Sequence, residues 1–581
     1  MNIAEWSINK SVITWTMTVL LLFVGYISYQ NLPRLEDPEF AIKEAVVVTP
    51  YPGASAQEVE KEVTEKIEKA VQELGQLKRV ESYSERGLSK IKVVIKDQFS
   101  RAALPQVWDE LRRKVNDYQR ELPPGAGPSI VNDDFGDVYG IYFALAGEGY
   151  TYAELKKVAE MLKRELTTVT DVKKVVFFGV QSEAIYVEIS KTKTAALGIR
   201  LEQIFTALQA KNIPSDAGRI KIGSEYMAIF PSGIYKSEKD FGNLLISSQA
   251  GKLIYLKDVA EIRRGYVDPP KDILRINGKP AIGIAISTIL GGNVVTMGQA
   301  VEKRIKELLP QIPMGMDMKV ISNMSATVVE SINGFIINLV EAVAIVIIVL
   351  LFFMGLRSGL IIGFILTLTI AATFVVMNYY QITLERISLG ALIIALGMLV
   401  DNAIVVVDGM KVKIENGMDG LEAAKEVVGQ NAIPLFGATA VAILAFASIG
   451  GMDNNTGEFC RSLYYVILIS LSLSWLTAVT TTPLITKTFL KSKGENKGEG
   501  EKADPYGGKF YQLYRSGLMA AIRYRWVTIA VVVGLFASAL YGFGFIKSMF
   551  FPPSTRPQFM VECQFREGTH IKETEKNVAE I

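Results

Sequence analysis

Histidine and cysteine are nearly missing from this chain. Its 581 residues hold one histidine, His570, and two cysteines, Cys460 and Cys563. Two cysteines exclude a disulfide scaffold, and one histidine excludes a Cys/His metal cluster. No serine–histidine–aspartate arrangement can be built around His570 with any support from spacing. No GxxxxGK[ST] loop occurs, so no nucleotide site of that type is expected. An ATP-driven pump would therefore need a separate ATPase subunit. Charge of one sign is also lacking: Lys+Arg 62 against Asp+Glu 60 leaves +2. That balance gives no reason to expect a nucleic-acid partner. The expectation is a chain that is not an enzyme and holds no cofactor or metal.

What is present is apolar, and it is clustered. Hydrophobic residues make up 49% of the chain, and they gather in blocks long enough to cross a bilayer, which takes about 20 residues. Residues 11–33 carry no charge, and 331–356 carry only Glu341. Residues 358–384 have none, and 387–407 have only Asp401. Blocks 427–452, 462–486 and 526–546 are uncharged. These predict seven spanning helices, numbered 1 to 7 in chain order. Soluble helices of this length would show a polar stripe, and these do not. The first block is too long for a signal-peptide core and has no small-x-small cleavage site after it, so it is expected to stay as an anchor.

Orientation follows from the short loops. Lys10 precedes helix 1, and Arg357 separates helices 2 and 3. Lys411, Lys413 and Lys425 lie between helices 4 and 5, and nine Lys or Arg lie between helices 6 and 7, from Lys487 to Arg525. The alternate loops hold only Glu385 with Arg386, and Asp453, Glu458 with Arg461. The positive-inside rule places the first set in the cytoplasm. Residues 34–330 and the tail after Ile546 then lie on the other side. The Lys/Gly/Glu-rich run 491–502 suggests a flexible cytoplasmic linker. After it, Leu513, Tyr514, Leu518 and Ile522 interleave with Arg515, Arg523 and Arg525, a pattern that suits a helix on the inner surface, in contact with membrane lipids.

Residues 34–330 alternate strand and helix signals. Ser55-Ala-Gln-Glu58 is a capping box, and Val59, Val63, Ile67 and Val71 continue a helical stripe. Strands are expected at 80–83 and 91–95, and a helix over 104–122. The unit restarts near Val138. Thr151-Tyr-Ala-Glu154 caps a helix with apolar Leu155, Val158, Leu162 and Leu166. Strands follow at 172–178 and 184–189, then a hairpin turn at Asn277-Gly278 and a helix over 294–309. Small β-α-β units packed as α+β sandwiches fit this order. The acidic group Asp133, Asp134 and Asp137 is expected to be a solvated turn, since a hard-metal cage needs more oxygens.

The tail repeats the opening of this domain. Pro38-Glu-Phe40, Gly53, Glu58, Glu60 and Lys61 recur as Pro557-Gln-Phe559, Gly568, Glu573, Glu575 and Lys576. The Gly-to-Glu spacings are five and seven in both. Each set follows a spanning helix, 1 or 7. Transporters are often built from such repeats. The expectation is one complete repeat plus the start of a second.

One charge stands deep in a span. Asp401 sits in Gly397-Met-Leu-Val-Asp401-Asn-Ala-Ile-Val-Val-Val407, where a carboxylate costs about 2.5–3.5 kcal/mol to insert. Nothing in the segment offsets that cost. Gly397, one turn earlier, lets a partner helix approach. Such a group can change protonation when its partner moves, and one proton crossing the membrane releases about 2.3 kcal/mol per 100 mV. Asp401 is the candidate coupling residue. Asn402, Asp408 and Glu341 are weaker candidates.

Taken in order, these residues resemble the resistance–nodulation–division (RND) efflux transporters of Gram-negative inner membranes, hydrophobe/amphiphile branch. The carriers are Tyr51-Pro-Gly-Ala-Ser55, Leu256-Lys-Asp-Val-Ala260, Leu339-Val-Glu-Ala342, Leu351-Phe-Phe353 with Arg357, the Gly397–Val407 string, Thr456-Gly-Glu458 and Thr482-Pro483. The resemblance covers the whole chain. It implies a homotrimer that exports hydrophobic or amphiphilic compounds in exchange for protons, with a periplasmic adaptor and an outer-membrane channel. It implies that Asp401 is one of two adjacent relay positions, the second being Asn402 here, and that Phe178 lines a deep substrate pocket. A core strand phenylalanine is the equally good alternative for Phe178. The trimer-bracing arm would lie at residues 217–230 and be short.

The expected fold is a polytopic α-helical membrane protein with a large α+β periplasmic porter and docking domain. Helix 1 would occupy 1–34. One porter subdomain would be 35–135, a second 136–174 with 272–330, and a docking subdomain 175–271. Helices 2–6 would fill 331–490, a linker and surface helix 491–525, and helix 7 526–546. A second porter module would begin at 547–581. Two rivals stay open: a heavy-metal exporter of the same family, for which residues 34–330 show no methionine cluster, and a lipid-handling or sensor relative that exports no drug.

Overall fold

The computed structural model describes residues 3–134, 136–211, 218–228, 237–249, 252–490, 509–546, 558–566 and 568–581. The expected linker at 491–502 and the Pro557 end of the tail motif lie outside these residues. So do Ala217, Ile229 and Phe230, the two ends of the expected arm.

Among the described residues, seven helices are long and apolar enough to span: Ser11–Asn31, Met324–Met354, Leu356–Tyr379, Arg386–Glu415, Gly420–Gly450, Asn455–Val479 and Arg525–Phe543. Together with the mixed domain between helices 1 and 2, they make a polytopic helical protein with a large α+β domain, as expected. Helices 2, 4 and 5 are longer than their blocks because their polar ends continue the same turns. Helix 4 runs to Glu415 and helix 2 begins at Met324. Helix 6 begins before its block and ends before it does. It stops at Val479, and a separate helix, Thr481–Phe489, takes up the rest. Pro483 sits in the first turn of that second piece, where its missing N–H costs nothing. Helices 3, 4 and 6 share one buried core in which Ile362, Ala391, Ala395, Val407, Val466 and Ile467 are fully enclosed.

Helix 1 lies against helix 3 at Gly25. A side-chain carbon there would meet the Ala371 Cβ at 2.7 Å and its backbone carbon at 2.9 Å. Glycine is therefore what allows the two backbones to close.

The domain between helices 1 and 2 holds two main sheets. The first has four antiparallel strands in the order Leu77–Glu85, Leu88–Ile95, Glu44–Pro50, Ile130–Asn132. Ser55 and Glu58 form the expected capping box, and Val59, Val63, Ile67 and Val71 are fully buried against this sheet. A π-helical turn at Glu60–Thr64 interrupts the helix that carries them. The second sheet is centred on Tyr139–Gly147 and Lys279–Thr288, flanked by Met316–Asn323 and Val172–Phe178. Thr151 and Glu154 form the second capping box. Asn277 and Gly278 both take positive φ, 51° and 77°, which is the hairpin turn their sequence predicts. Outside the two sheets, Glu183–Ile189 pairs with Ala260–Tyr266. An exposed hairpin, Arg219–Ile222 with Glu225–Ala228, lies in the stretch expected to be an arm.

Candidate functional site in helix 4

Helix 4 presents two faces with opposite characters. Ile394, Gly397, Asp401, Val405 and Asp408 are exposed and recur at intervals of three or four, so they share one stripe. A side-chain carbon built on Gly397 would meet nothing within 4 Å. Among the described residues, no hydrogen bond or ion pair reaches the Asp401 carboxylate. The stripe is thus a groove-ready face with a lone acid at its middle.

Asn402 is turned away from that stripe, by the roughly 100° that one helical residue imposes. It is 5% exposed. Its amide Nδ2 donates to Thr439 Oγ1 of helix 5 at 3.3 Å and to Ser474 Oγ of helix 6 at 3.2 Å. Ser474 Oγ donates in turn to the Leu399 carbonyl at 2.8 Å. Deeper in the seam, the hydroxyls of Thr369 (helix 3) and Thr477 (helix 6) are 3.1 Å apart. Buried hydroxyl and amide groups of this kind hold helices together in lipid. Adjacent in sequence, Asp401 and Asn402 therefore have different surroundings, one exposed and one buried and hydrogen-bonded. Glu341 and Asp408 are both exposed on their helices.

One end of helix 4 is capped by Glu385, which sequence reading placed only as a loop charge. It is fully buried. Its carboxylate accepts from the N–H of Ile387 at 2.7 Å and of Ser388 at 3.2 Å, while Ser388 Oγ accepts from the Glu385 N–H at 2.9 Å. Burial pushes its carboxyl up to about 7, against the pull of the Ser462 hydroxyl and those two N–H groups, and the nearby Asp37 adds to the rise.

The same end is strapped to the segment that leaves helix 1. Leu384 N–H donates to the Pro33 carbonyl at 2.8 Å, and Leu35 N–H donates to the Leu384 carbonyl at 3.2 Å. Arg386 pairs with the buried Glu36 at 3.0 Å. Farther along, Glu458 of helix 6 pairs with Lys43 at 2.9 Å and accepts from the Ala41 N–H at 3.0 Å. Lys43, 3% exposed, also donates to the Asp97 carbonyl at 2.6 Å. The Thr456-Gly-Glu458 motif was the only sequence signal of this contact.

In the second sheet, Phe178 ends its strand 40% exposed. The Tyr139 and Tyr142 rings meet it edge-on, each at 6.0 Å. It is therefore neither enclosed core nor isolated surface. Nearby, a cavity of about 500 Å³ is lined by Tyr152, Gln181, Tyr186 and Tyr266. The tail helix Ile571–Ala579 flanks it through ion pairs of Glu575 with Arg275 at 2.6 Å and of Lys572 with Asp268 at 3.2 Å. The acidic group at 133–137 is not a bare solvated turn. Asp133 pairs with Arg112, and Asp134 and Asp137 pair with Lys173 and Lys174. The Lys174 ammonium holds the Asp134 carboxyl below its usual range.

The model of one known family, described as the AcrB/AcrD/AcrF family, matches residues 3–581. The chain belongs to that family. It is thus an RND-type transporter of the AcrB-like kind and a multi-pass membrane protein.

Proposed function

We propose that this chain is a subunit of an inner-membrane exporter that exchanges protons for hydrophobic or amphiphilic compounds. The observation that supports it best is Asp401: an acid in an apolar span, on an open face, with no partner among the described residues. Intramembrane carboxylates that face a neighbouring bundle are suited to proton transfer. In this reading Asp401 takes up a proton from the outer side and gives it up inside, in step with its facing partner. Asn402 does not titrate and serves as a helix clasp, so helix 4 supplies one proton-carrying group rather than two.

Substrate enters from the periplasm or outer leaflet and meets aromatic faces such as Phe178 with Tyr139 and Tyr142. Three copies assemble, and an adaptor and an outer-membrane channel complete the path. The chain works as a transporter and performs no covalent chemistry on its cargo.

The test is Asp401→Asn in the complete transporter, expressed in a drug-susceptible Gram-negative strain. The reading expects normal protein levels and loss of dye efflux and drug tolerance to the empty-vector level. Unchanged tolerance at equal expression refutes proton coupling through Asp401.

A further inference from the structure

At the basic end of the bundle, a cavity of about 320 Å³ opens between the end of helix 2, the start of helix 3 and the last turns of helix 4. Met354, Gly355, Arg357, Ser358, Lys411 and Glu415 line it. Four features make it a place for a phosphate group. First, helix 3 is 24 residues long and starts here, with Gly355 at its cap position and no side-chain cap. Among the described residues the N–H groups of Leu356, Arg357 and Ser358 have no hydrogen-bond partner, and a helix start attracts anions. Second, Arg357 is exposed and makes no ion pair or hydrogen bond among the described residues. Third, Ser358 is only 2% exposed yet lines the cavity, and its hydroxyl has no hydrogen-bond partner among the described residues. That hydroxyl is free to hydrogen-bond to a group that enters the cavity. Fourth, Lys411 reaches into the same space, where its ammonium donates to the Met354 carbonyl at 2.9 Å.

Glu415 is the one acid on the wall. Two cations against one carboxylate leave the cavity positive. The flank is apolar: Phe352, Phe353, Leu356 and Leu360 are exposed beside it, on helices that cross the membrane. A headgroup in the cavity would place its acyl chains along these side chains.

We propose that this cavity holds a phosphate group carried by an anionic phospholipid of the cytoplasmic leaflet. Basic pockets between spanning helices on that side take such headgroups. The helix 3 N–H groups and Ser358 would bind the phosphate oxygens, and Arg357 would neutralise the charge. Free inorganic phosphate shares the chemistry and is the competing source.

Native mass spectrometry of the purified full chain separates the two. Phosphatidylglycerol or phosphatidylcholine is added to the detergent-solubilised protein, and bound lipid is counted. In a parallel arm, inorganic phosphate binding is measured by thermophoresis in phosphatidylcholine nanodiscs. The proposal expects phosphatidylglycerol to be retained several-fold over phosphatidylcholine, and Arg357→Gln to cut that retention by about fivefold, the effect of one basic residue near a charged lipid surface. Ser358→Ala should weaken it too, whereas Arg523→Gln on the surface helix should leave it unchanged. Equal retention of the two lipids, or equal losses in Arg357→Gln and Arg523→Gln, overturns the lipid assignment. Arg357-dependent binding of inorganic phosphate without lipid preference overturns it in favour of the free ion.

Discussion

The cap of helix 4 should make that helix end sensitive to pH. Glu385 is fully enclosed, and its carboxyl is raised from 4.5 to about 7. In the unfolded chain it would ionise near 4.5. The folded state therefore holds its proton over a range where the unfolded state has lost it. Stability from this group is fully present below about pH 4.5 and is lost as pH rises through about 7. At about 1.36 kcal/mol per pKa unit, the loss is about 3 kcal/mol at most. The groups around it are Asp37, which favours the proton, the Ser462 hydroxyl and the Ile387 and Ser388 N–H groups, which oppose it, and Arg386, already engaged by Glu36. Hydrogen exchange at the Ile387 and Ser388 amides reads the effect directly, because both donate to Glu385. After correction for intrinsic exchange, protection should fall between about pH 5 and pH 8, by up to about a hundredfold if the full loss is expressed there. Glu385→Gln should flatten the profile. Protection that rises with pH, or an identical slope in the variant, would refute the argument.

Three further outcomes follow from packing. Gly25→Val should push helices 1 and 3 apart and cost about 2 kcal/mol, seen as a lower thermal midpoint in detergent. Glu458→Gln should cost about 3 kcal/mol, because it leaves the buried Lys43 without its counter-charge. Adding Lys43→Met should recover most of that loss, as read by a double-mutant cycle in thermal unfolding. Asn402→Leu should cost about 1 kcal/mol by removing the clasp to Thr439 and Ser474, while Asp401→Asn, with no partner among the described residues, should leave the thermal midpoint unchanged.

Local features were the most readable in the sequence. Both capping boxes, at Ser55 and Thr151, involve residues three apart, and the Asn277-Gly278 turn is set by two. The seven spans were legible because their length and composition have few other uses. The strap was not legible, since Glu36 and Arg386 lie 350 positions apart and each is ordinary alone. The lysine partners of Asp134 were hidden for the same reason, in the strand beginning at Val172. The different surroundings of Asn402 could have been anticipated: a residue next to Asp401 on a helix cannot share its direction. The resemblance set the two side by side as relay positions; in the structure Asp401 is exposed and Asn402 is hydrogen-bonded to Thr439 and Ser474. The early end of helix 6 at Val479 was missed because hydropathy does not register a backbone break.

The attachments at Glu36 and Lys43 have a mechanical consequence. The stretch between helix 1 and the first strand is bolted at two points, to the head of helix 4 and to the head of helix 6. It has no slack to absorb movement. A tilt or slide of either helix would arrive at the Glu44–Pro50 strand as a lever stroke, and the whole first sheet would swing with it.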